Sequence, residues 1–549
     1  MSYQNFSASL WRAHRKTKNL LFFSFDGRKE MNEDPEKSES KKADDHSSGQ
    51  GPSYTTPQRT GLILGPLLFL ITILFFQPET LSRGGVMVLA TTLWVATWWI
   101  TEAIPIPAAS LLPIVLLPVT GALEGSAVTA SYGDPIVFLF LGGFMIALAM
   151  ERWSLHKRIA LNIISIVGTS TSNIILGFMI ATGFLSMWVS NTAAVMMMVP
   201  IATAITYQVS QSLKNTDKDY SLEEEKFSKA LLFAVGYAGT IGGLGTLIGT
   251  PPNLLLAGIV SELYGIQISF AMWLLFAAPI VIILLFFTWL YLTRVAHPIQ
   301  LKQLPGGKEL IQAEKKKLGR TSYEEKMVAI IFAFAAFMWI TRSFLWENEN
   351  FFVIPGINDT MIAITAGILL FLIPAKSGGK KLLDWTVAKD IPWGILLLFG
   401  GGLAIAAGFR ETGLANWIGE QLTVLEGVNF ILMIVITAAL VLFLTEITSN
   451  TATATMILPV LASLAVAINV HPYALMVPAA MAANCAFMLP VGTPPNAIIF
   501  ATGKLKIIEM VKNGFWVNIA CVIIITIAVY FYLPIIFDIN LTVFPDDFR

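Results

Sequence analysis

Charge and cysteine are both scarce in this 549-residue chain, at 13% charged residues and 2 cysteines. An ordinary soluble domain carries roughly 25% charged residues. With 55% of the chain hydrophobic, a water-soluble globule is excluded. The 36 Lys and Arg cancel the 36 Asp and Glu, so no net field gathers nucleic acid, and nucleic acid is not expected as a partner. Cys485 and Cys521 lie in apolar runs with no CxxC spacing; they offer no disulfide framework and read as small core residues. The 5 His residues are scattered and form no ligand cluster. Also missing are GxxxxGK[ST], HExxH and GxSxG. ATP-driven transport and the commoner membrane hydrolases therefore lose support, and neither catalytic residues nor an organic cofactor are expected.

The charge that exists is segregated. Segments 1–58, 211–230 and 295–328 hold 37 of the 72 charged residues, and the rest of the chain is compatible with lipid. Residues 1–58 read as a disordered cytoplasmic tail, and the apolar stretch Leu20 to Phe25 is too short for a cleavable signal. A bilayer-crossing helix needs about 20 apolar residues. Eleven candidate spans fall near 61–78, 84–101, 106–120, 135–150, 230–262, 270–294, 326–345, 359–374, 391–408, 472–502 and 514–537. Two more apolar stretches, 172–208 and 428–466, are each interrupted by Ser-Asn-Thr and are open to reading as full spans or re-entrant hairpins.

Cytoplasmic loops collect Lys and Arg, which arbitrates between these readings. With eleven spans and two hairpins, the loops at 121–134, 263–269, 346–358 and 411–427 fall outside, and they contain no Lys or Arg. Counting the interrupted stretches as spans degrades that sorting, so hairpins are preferred. The expected arrangement is an all-α polytopic protein of the cell membrane, with its N-terminus cytoplasmic and its C-terminus outside.

The sequence also repeats. Gly142-Gly143 recurs as Gly401-Gly402, Ser190-Asn191-Thr192 as Ser449-Asn450-Thr451, and Pro200 as Pro459, all at an offset of 259 residues. Gly249-Thr250-Pro251-Pro252-Asn253 recurs as Gly492-Thr493-Pro494-Pro495-Asn496 at an offset of 243, the shorter spacing following from the charged loop at 211–230. The expected divisions are the tail 1–58, a first helix at 59–83, repeat 1 at 84–294, a cytoplasmic linker at 295–325 and repeat 2 at 326–540. Five spans per repeat, an odd number, invert the second copy relative to the first. Inverted repeats with broken helices at the membrane midplane are a hallmark of secondary transporters.

The duplicated motifs suit that role. Ser, Asn and Thr supply neutral oxygens for a hard monovalent cation, while the Asn amide, the Thr hydroxyl and free helix N-termini donate to carboxylates. Two prolines after Gly-Thr interrupt helical hydrogen bonding and expose backbone at membrane depth. Taken singly, Ser-Asn-Thr is more often an interhelical patch and Pro-Pro a kink; their paired recurrence argues for a site. Among intramembrane charges, Glu446 lies one turn before Ser449, where it has the chemistry either to bind a cation or proton or to brace the hairpin, and bracing is expected because buried carboxylates are normally hydrogen-bonded. Glu102, Arg410 and Glu411 read as helix-end structure.

Trp99-Ile-Thr-Glu-Ala-Ile-Pro105, the two Ser-Asn-Thr motifs and the two Gly-Thr-Pro-Pro-Asn motifs together resemble the divalent anion:sodium symporter family, in particular its bacterial sodium-dependent dicarboxylate transporters. The resemblance covers about 60–540. It implies a homodimer whose protomers each have a scaffold domain and an elevator-like transport domain, both repeats contributing to each. It implies one sodium site at Ser186, Ser190, Asn191 and backbone oxygen around Gly249, and a second at Thr445, Ser449, Asn450 and backbone oxygen around Gly492. Substrate carboxylates would meet Asn191, Thr192, Asn450, Thr451, Thr250, Thr493 and the turn at Pro494. The implied activity is symport of a C4 dicarboxylate with at least two Na⁺. The alternatives are a sodium-independent dicarboxylate or citrate exchanger, a sulfate or tricarboxylate symporter or, from another class, a channel or sensor. A sensor would need an output domain, and neither the tail nor the linker is long enough to be one.

Overall fold

The computed structural model describes residues 54–168, 170–214, 221–299, 307–347, 353–376, 381–425 and 427–548. Most of the expected tail and part of the expected linker lie outside these residues. The described chain is helical, with one isolated backbone bridge between Pro374 and Lys381. Nine of its helices are long and apolar enough to cross a membrane, and five shorter apolar helices accompany them.

Two leading helices, α1 (Thr56–Phe75) and α2 (Arg83–Thr101), precede a run of short helices up to Tyr132. The helices α3 (Pro135–Arg152), α4 (Leu155–Val167), α5 (Thr171–Ser186), α6 (Asn191–Lys214), α7 (Ser221–Gly243), α8 (Pro251–Tyr264) and α9 (Phe270–Leu290) then follow. After α10 (Tyr323–Thr341) and α11 (Asp359–Leu372), the same series returns as α12 (Trp393–Glu411), α13 (Leu414–Leu422), α14 (Phe430–Thr445), α15 (Asn450–Ala467), α16 (Tyr473–Asn484), α17 (Pro494–Phe500) and α18 (Ile507–Ile527). The sequence repeat is therefore a repeat of helices, and α4, α5 and α6 begin 259 residues before α13, α14 and α15.

Local chemistry sets these boundaries. Gly168 and Gly427, also 259 apart, both hold positive φ, 114° and 89°, a conformation that glycine adopts without steric penalty. Each turns the chain into a hairpin whose first arm is capped by a short polar side chain: Ser170 accepts from Asn173 N at 3.3 Å and Asn429 from Leu432 N at 3.2 Å. The arms then stop at Ser186 and Thr445, and the second arms start at the Asn of each Ser-Asn-Thr. The stretches expected as single spans at 230–262 and 472–502 are both broken. Each first half ends before the Gly-Thr, and each second half starts at the first proline, where the missing N–H and fixed φ suit the opening turn of a helix.

The duplicated Gly-Gly motifs serve packing. A Cβ on Gly142 would lie 2.6 Å from the Ala363 backbone, and one on Gly401 would lie 2.6 Å from Ser110 O. Only glycine admits those approaches, and in lipid, where tails are as apolar as side chains, close packing is what drives helices together. The buried apolar residues form two clusters, the smaller of which draws Leu117, Ile405 and Ala452 from both repeats. The repeats also interlock at their breaks: α6 of the first packs on α17 of the second, and α15 of the second packs on α8 of the first. The helix that opens at each motif Asn thereby packs on the other repeat's helix that opens at Pro-Pro.

Candidate functional site

The first hairpin tip and the break after α7 together make a cluster of oxygens. Ser186 Oγ lies 2.7 Å from Asn191 Oδ1 and 2.5 Å from Gly239 O, and its single proton can satisfy only one of them. Asn191 Oδ1 also lies 3.3 Å from both Gly239 O and Gly249 O. With the Asn191 amide turned this way, four oxygens converge with one hydrogen among them, at a place where Ser186 is fully buried; turned the other way, the amide nitrogen takes that position and donates to the other three. Uncompensated buried acceptors are costly, and a small cation between them removes that cost. Glycine makes the cluster possible: a Cβ on Gly243 would lie 2.3 Å from Asn191 Oδ1, and one on Gly249 would lie 2.5 Å from Gly243 O.

The second tip builds the counterpart. Thr445 Oγ1 lies 2.6 Å from Asn450 Oδ1 and 2.9 Å from Ala483 O, reproducing the hydroxyl, amide oxygen and carbonyl of the first. Gly492 lies against Glu446: a Cβ there would sit 3.1 Å from Glu446 O and 3.2 Å from its Oε2. The Glu446 carboxylate accepts from the backbone N–H groups of Phe487 (2.8 Å), Met488 (3.0 Å) and Leu489 (3.1 Å), and from Asn518 Nδ2 at 2.7 Å. It has the bracing role expected from the sequence, but what it holds beside its own hairpin is the unwound segment after α16.

The remaining expected residues sort by exposure. Ser190 is exposed, and its Oγ accepts from Ala193 N at 3.2 Å, which caps α6. Thr192, Ser449 and Thr451 are half-buried and Pro494 is exposed, whereas Thr250 and Thr493 are buried. The Thr250 hydroxyl donates to Asn484 Oδ1 at 2.7 Å, whereas Thr493 Oγ1 is buried without a hydrogen-bond partner. A buried orphan hydroxyl beside an accessible tip is suited to meet a ligand oxygen. The helices α6, α8 and α15 also present N-termini here, whose dipoles favour negative charge.

The sequence reading missed several contributors. Gly239 and Ala483 supply carbonyls, a role with no side-chain signature. The asparagines that close the Gly-Thr-Pro-Pro-Asn motifs hold the unwound segments from within: Asn253 Nδ2 donates to the carbonyls of Gly243, Leu244 and Thr246, and Asn496 Nδ2 donates to those of Ala486 and Leu489. Arg410 pairs with Glu262 at 2.9 Å, which ties the ends of α12 and α8, and Glu102 occupies the C-cap of α2 with φ 47°. Both match the expected helix-end roles.

The arrangement suits binding and release of ions more than covalent chemistry. No named site residue in contact with the tips is cationic, so an anion held there needs its countercharge from elsewhere.

Comparison with known proteins gives a consistent result. The sequence profile of the sodium:sulfate symporter transmembrane region matches residues 58–539. The sodium-dependent dicarboxylate transporter SdcS of Staphylococcus saprophyticus is 57% identical over 492 residues, covering 89% of this chain and 94% of that protein. Its namesake from Staphylococcus aureus strain MRSA252 is 57% identical over 490 residues, covering 89% and 94%. Among solved structures, the Alcanivorax borkumensis YdaH transporter aligns with a TM-score of 0.56 at 12% identity, covering 86% of this chain and 98% of that one. Neisseria gonorrhoeae MtrF aligns with a TM-score of 0.50 at 14% identity, covering 87% and 96%. At such identities the two structures share the fold alone.

Proposed function

The chain belongs to the sodium:sulfate symporter family, and from that premise we propose that it is a sodium-coupled symporter of C4 dicarboxylates such as succinate, malate and fumarate. It is a multi-pass membrane protein and not an enzyme. The observation that carries the reading is the pair of oxygen clusters at Ser186/Asn191/Gly239 and Thr445/Asn450/Ala483. Ser190, Gly249, Ser449 and Gly492 complete the two proposed sodium sites. Sodium in both clusters supplies the positive potential that a site without Lys or Arg otherwise lacks. The dianion then takes donors from Asn191, Thr192, Asn450, Thr451 and Thr493, with Thr250, whose one hydroxyl proton goes to Asn484 Oδ1, lining the pocket beside them and the turn at Pro494 closing it.

The same reading sets the protein in the cell membrane as a homodimer with its N-terminus cytoplasmic, each transport domain rising and falling against a fixed scaffold. The sorting of Lys and Arg between loops supports the orientation, and the family resemblance supports the dimer and the moving domain. Moving one net charge through 100 mV is worth about 2.3 kcal/mol. More than two Na⁺ per dianion would therefore let the membrane potential drive uptake, while two would leave it electroneutral.

The test is uptake of radiolabelled succinate into proteoliposomes. An inward sodium gradient should drive accumulation, and replacing external sodium with choline should abolish it. Equal uptake in both media would instead support sodium-independent exchange, and sulfate uptake without succinate uptake would move the substrate class.

A further inference from the structure

The first oxygen cluster depends on which way the Asn191 amide points. Turned about, its nitrogen would donate to Ser186 Oγ at 2.7 Å and to Gly239 O and Gly249 O at 3.3 Å. That orientation would satisfy every oxygen and leave no place for a cation. The choice between the two orientations turns on a neighbouring residue from the opposite repeat.

Asn484, the last residue of α16, is 1% exposed. Its Nδ2 donates to Thr240 O at 2.7 Å. A backbone carbonyl can only accept, so this bond fixes the Asn484 amide and turns its Oδ1 toward the first hairpin. There Oδ1 accepts from Thr250 Oγ1 at 2.7 Å and from Asn191 Nδ2 at 3.3 Å. Reversing Asn191 would set its oxygen against Asn484 Oδ1, two acceptors facing each other in a buried place. The chain of constraint runs from Thr240 O through Asn484 to Asn191, and it ends with Asn191 Oδ1 facing Ser186 Oγ, Gly239 O and Gly249 O.

The support runs one way between the repeats. The carbonyls that line the two clusters, Gly239 O and Ala483 O, are followed by Thr240 and Asn484 respectively. Thr240 spends its short hydroxyl on Gly236 O within its own helix, at 3.5 Å, whereas Asn484 reaches across. We propose that Asn484 is a positioning residue for the first cation site: it selects the cation-receptive orientation of Asn191 and ties that selection to the unwound segment of the second repeat. The inference rests on the sodium reading above and deepens it. Partners that orient a metal ligand typically change metal affinity by about 10–100-fold when removed.

The experiment measures the thermal stability of the full-length purified protein in detergent against sodium concentration, with choline holding ionic strength constant. Asn191→Ala sets the floor. Asn484→Ala should need at least roughly tenfold more sodium for half-maximal stabilisation, while its succinate uptake in proteoliposomes recovers at saturating sodium. Asn484→Asp keeps an oxygen that accepts from Asn191, sets a second oxygen against Thr240 O in place of the donor, and adds a negative charge that itself favours a cation, so its sodium response should be no weaker than about threefold below wild type. A normal sodium response in Asn484→Ala, or a loss in Asn484→Asp equal to that in Asn484→Ala, overturns the proposal. So does an uptake defect in Asn484→Ala that sodium cannot restore. If Asn484→Ala does not fold, Asn484→Asp decides: a response like wild type supports the proposal and a tenfold loss overturns it. A wild-type protein without any sodium response overturns the sodium reading, and this inference with it.

Discussion

The two hairpin tips are built to one plan and supported by two. At both, a hydroxyl from the end of the first arm, an Asn oxygen from the start of the second arm and one backbone carbonyl converge within hydrogen-bonding distance. Behind them the repeats part company. The first tip leans on neutral groups: Thr246 Oγ1 donates to Met187 O at 2.5 Å, and Asn484 braces Asn191. The second leans on a buried carboxylate, Glu446, at the position where the first repeat has Met187. Its unwound segment is also one residue shorter, with Gly492 following Ala483 by nine residues where Gly249 follows Gly239 by ten. Symmetry is kept where the oxygens converge and dropped where the scaffold merely has to hold them. An acidic side chain beside one tip alone makes the surroundings of the two clusters unequal, so they need not hold sodium equally tightly.

The largest effect should come from breaking what the tips share. Asn191→Ala and Asn450→Ala each remove a cluster oxygen and an amide donor to the substrate, and each should reduce sodium-driven succinate uptake to background while the protein still elutes as folded material. Near-normal uptake by both variants would remove the proposed sites.

Next comes a test of what the tips do not share. Glu446→Gln turns an amide N–H toward the Met488 or Leu489 N–H in place of an acceptor, so it should cost about 1–3 kcal/mol of stability and weaken sodium activation. Met187→Leu at the equivalent position of the first tip should do neither. Thermal unfolding of both variants checks this, and equal losses would mean that the asymmetry carries no energetic weight.

A smaller contrast separates the two buried threonines. Thr250→Val deletes a bond to Asn484 and should lower stability by about 1 kcal/mol as well as weaken substrate binding. Thr493→Val deletes a hydroxyl with no protein partner, so it should raise the succinate KM with almost no change in unfolding temperature. Loss of stability in Thr493→Val would show that its hydroxyl has a structural partner.

The smallest expected change is at the half-buried pair Thr192 and Thr451. Thr→Val at either removes one donor to the anion at nearly constant shape, worth about 0.5–1.5 kcal/mol. Uptake kinetics should show the succinate KM rising while the sodium dependence holds. A shift confined to sodium would place these hydroxyls on the cation side.

How much of this was legible in the sequence follows from which groups do the work. The hairpins and breaks were readable because Ser-Asn-Thr and Gly-Thr-Pro-Pro-Asn interrupt long apolar runs and recur in order. Ser186 and Thr445 were reached through the family resemblance, and the structure brings both into the clusters. Gly239 and Ala483 were not legible, since any residue type offers a carbonyl and only the course of the backbone decides where it points. Asn484 escaped for a different reason: its counterpart is Thr240, so a search for repeated residues passes over it. The helical breaks inside 230–262 and 472–502 were announced by proline, but their bracing by Asn253, Asn496 and Glu446 depends on bonds between segments that a linear pattern does not contain.

In the proposed mechanism, bound sodium lends a site without Lys or Arg the charge it needs for a dianion. Calorimetric titration of succinate into the purified protein, in sodium and in potassium or choline buffer at equal ionic strength, tests it most directly. Binding should strengthen steeply with sodium and, by linkage, sodium affinity should rise with succinate, with potassium a poor substitute. Tight succinate binding in potassium or choline without sodium would contradict it.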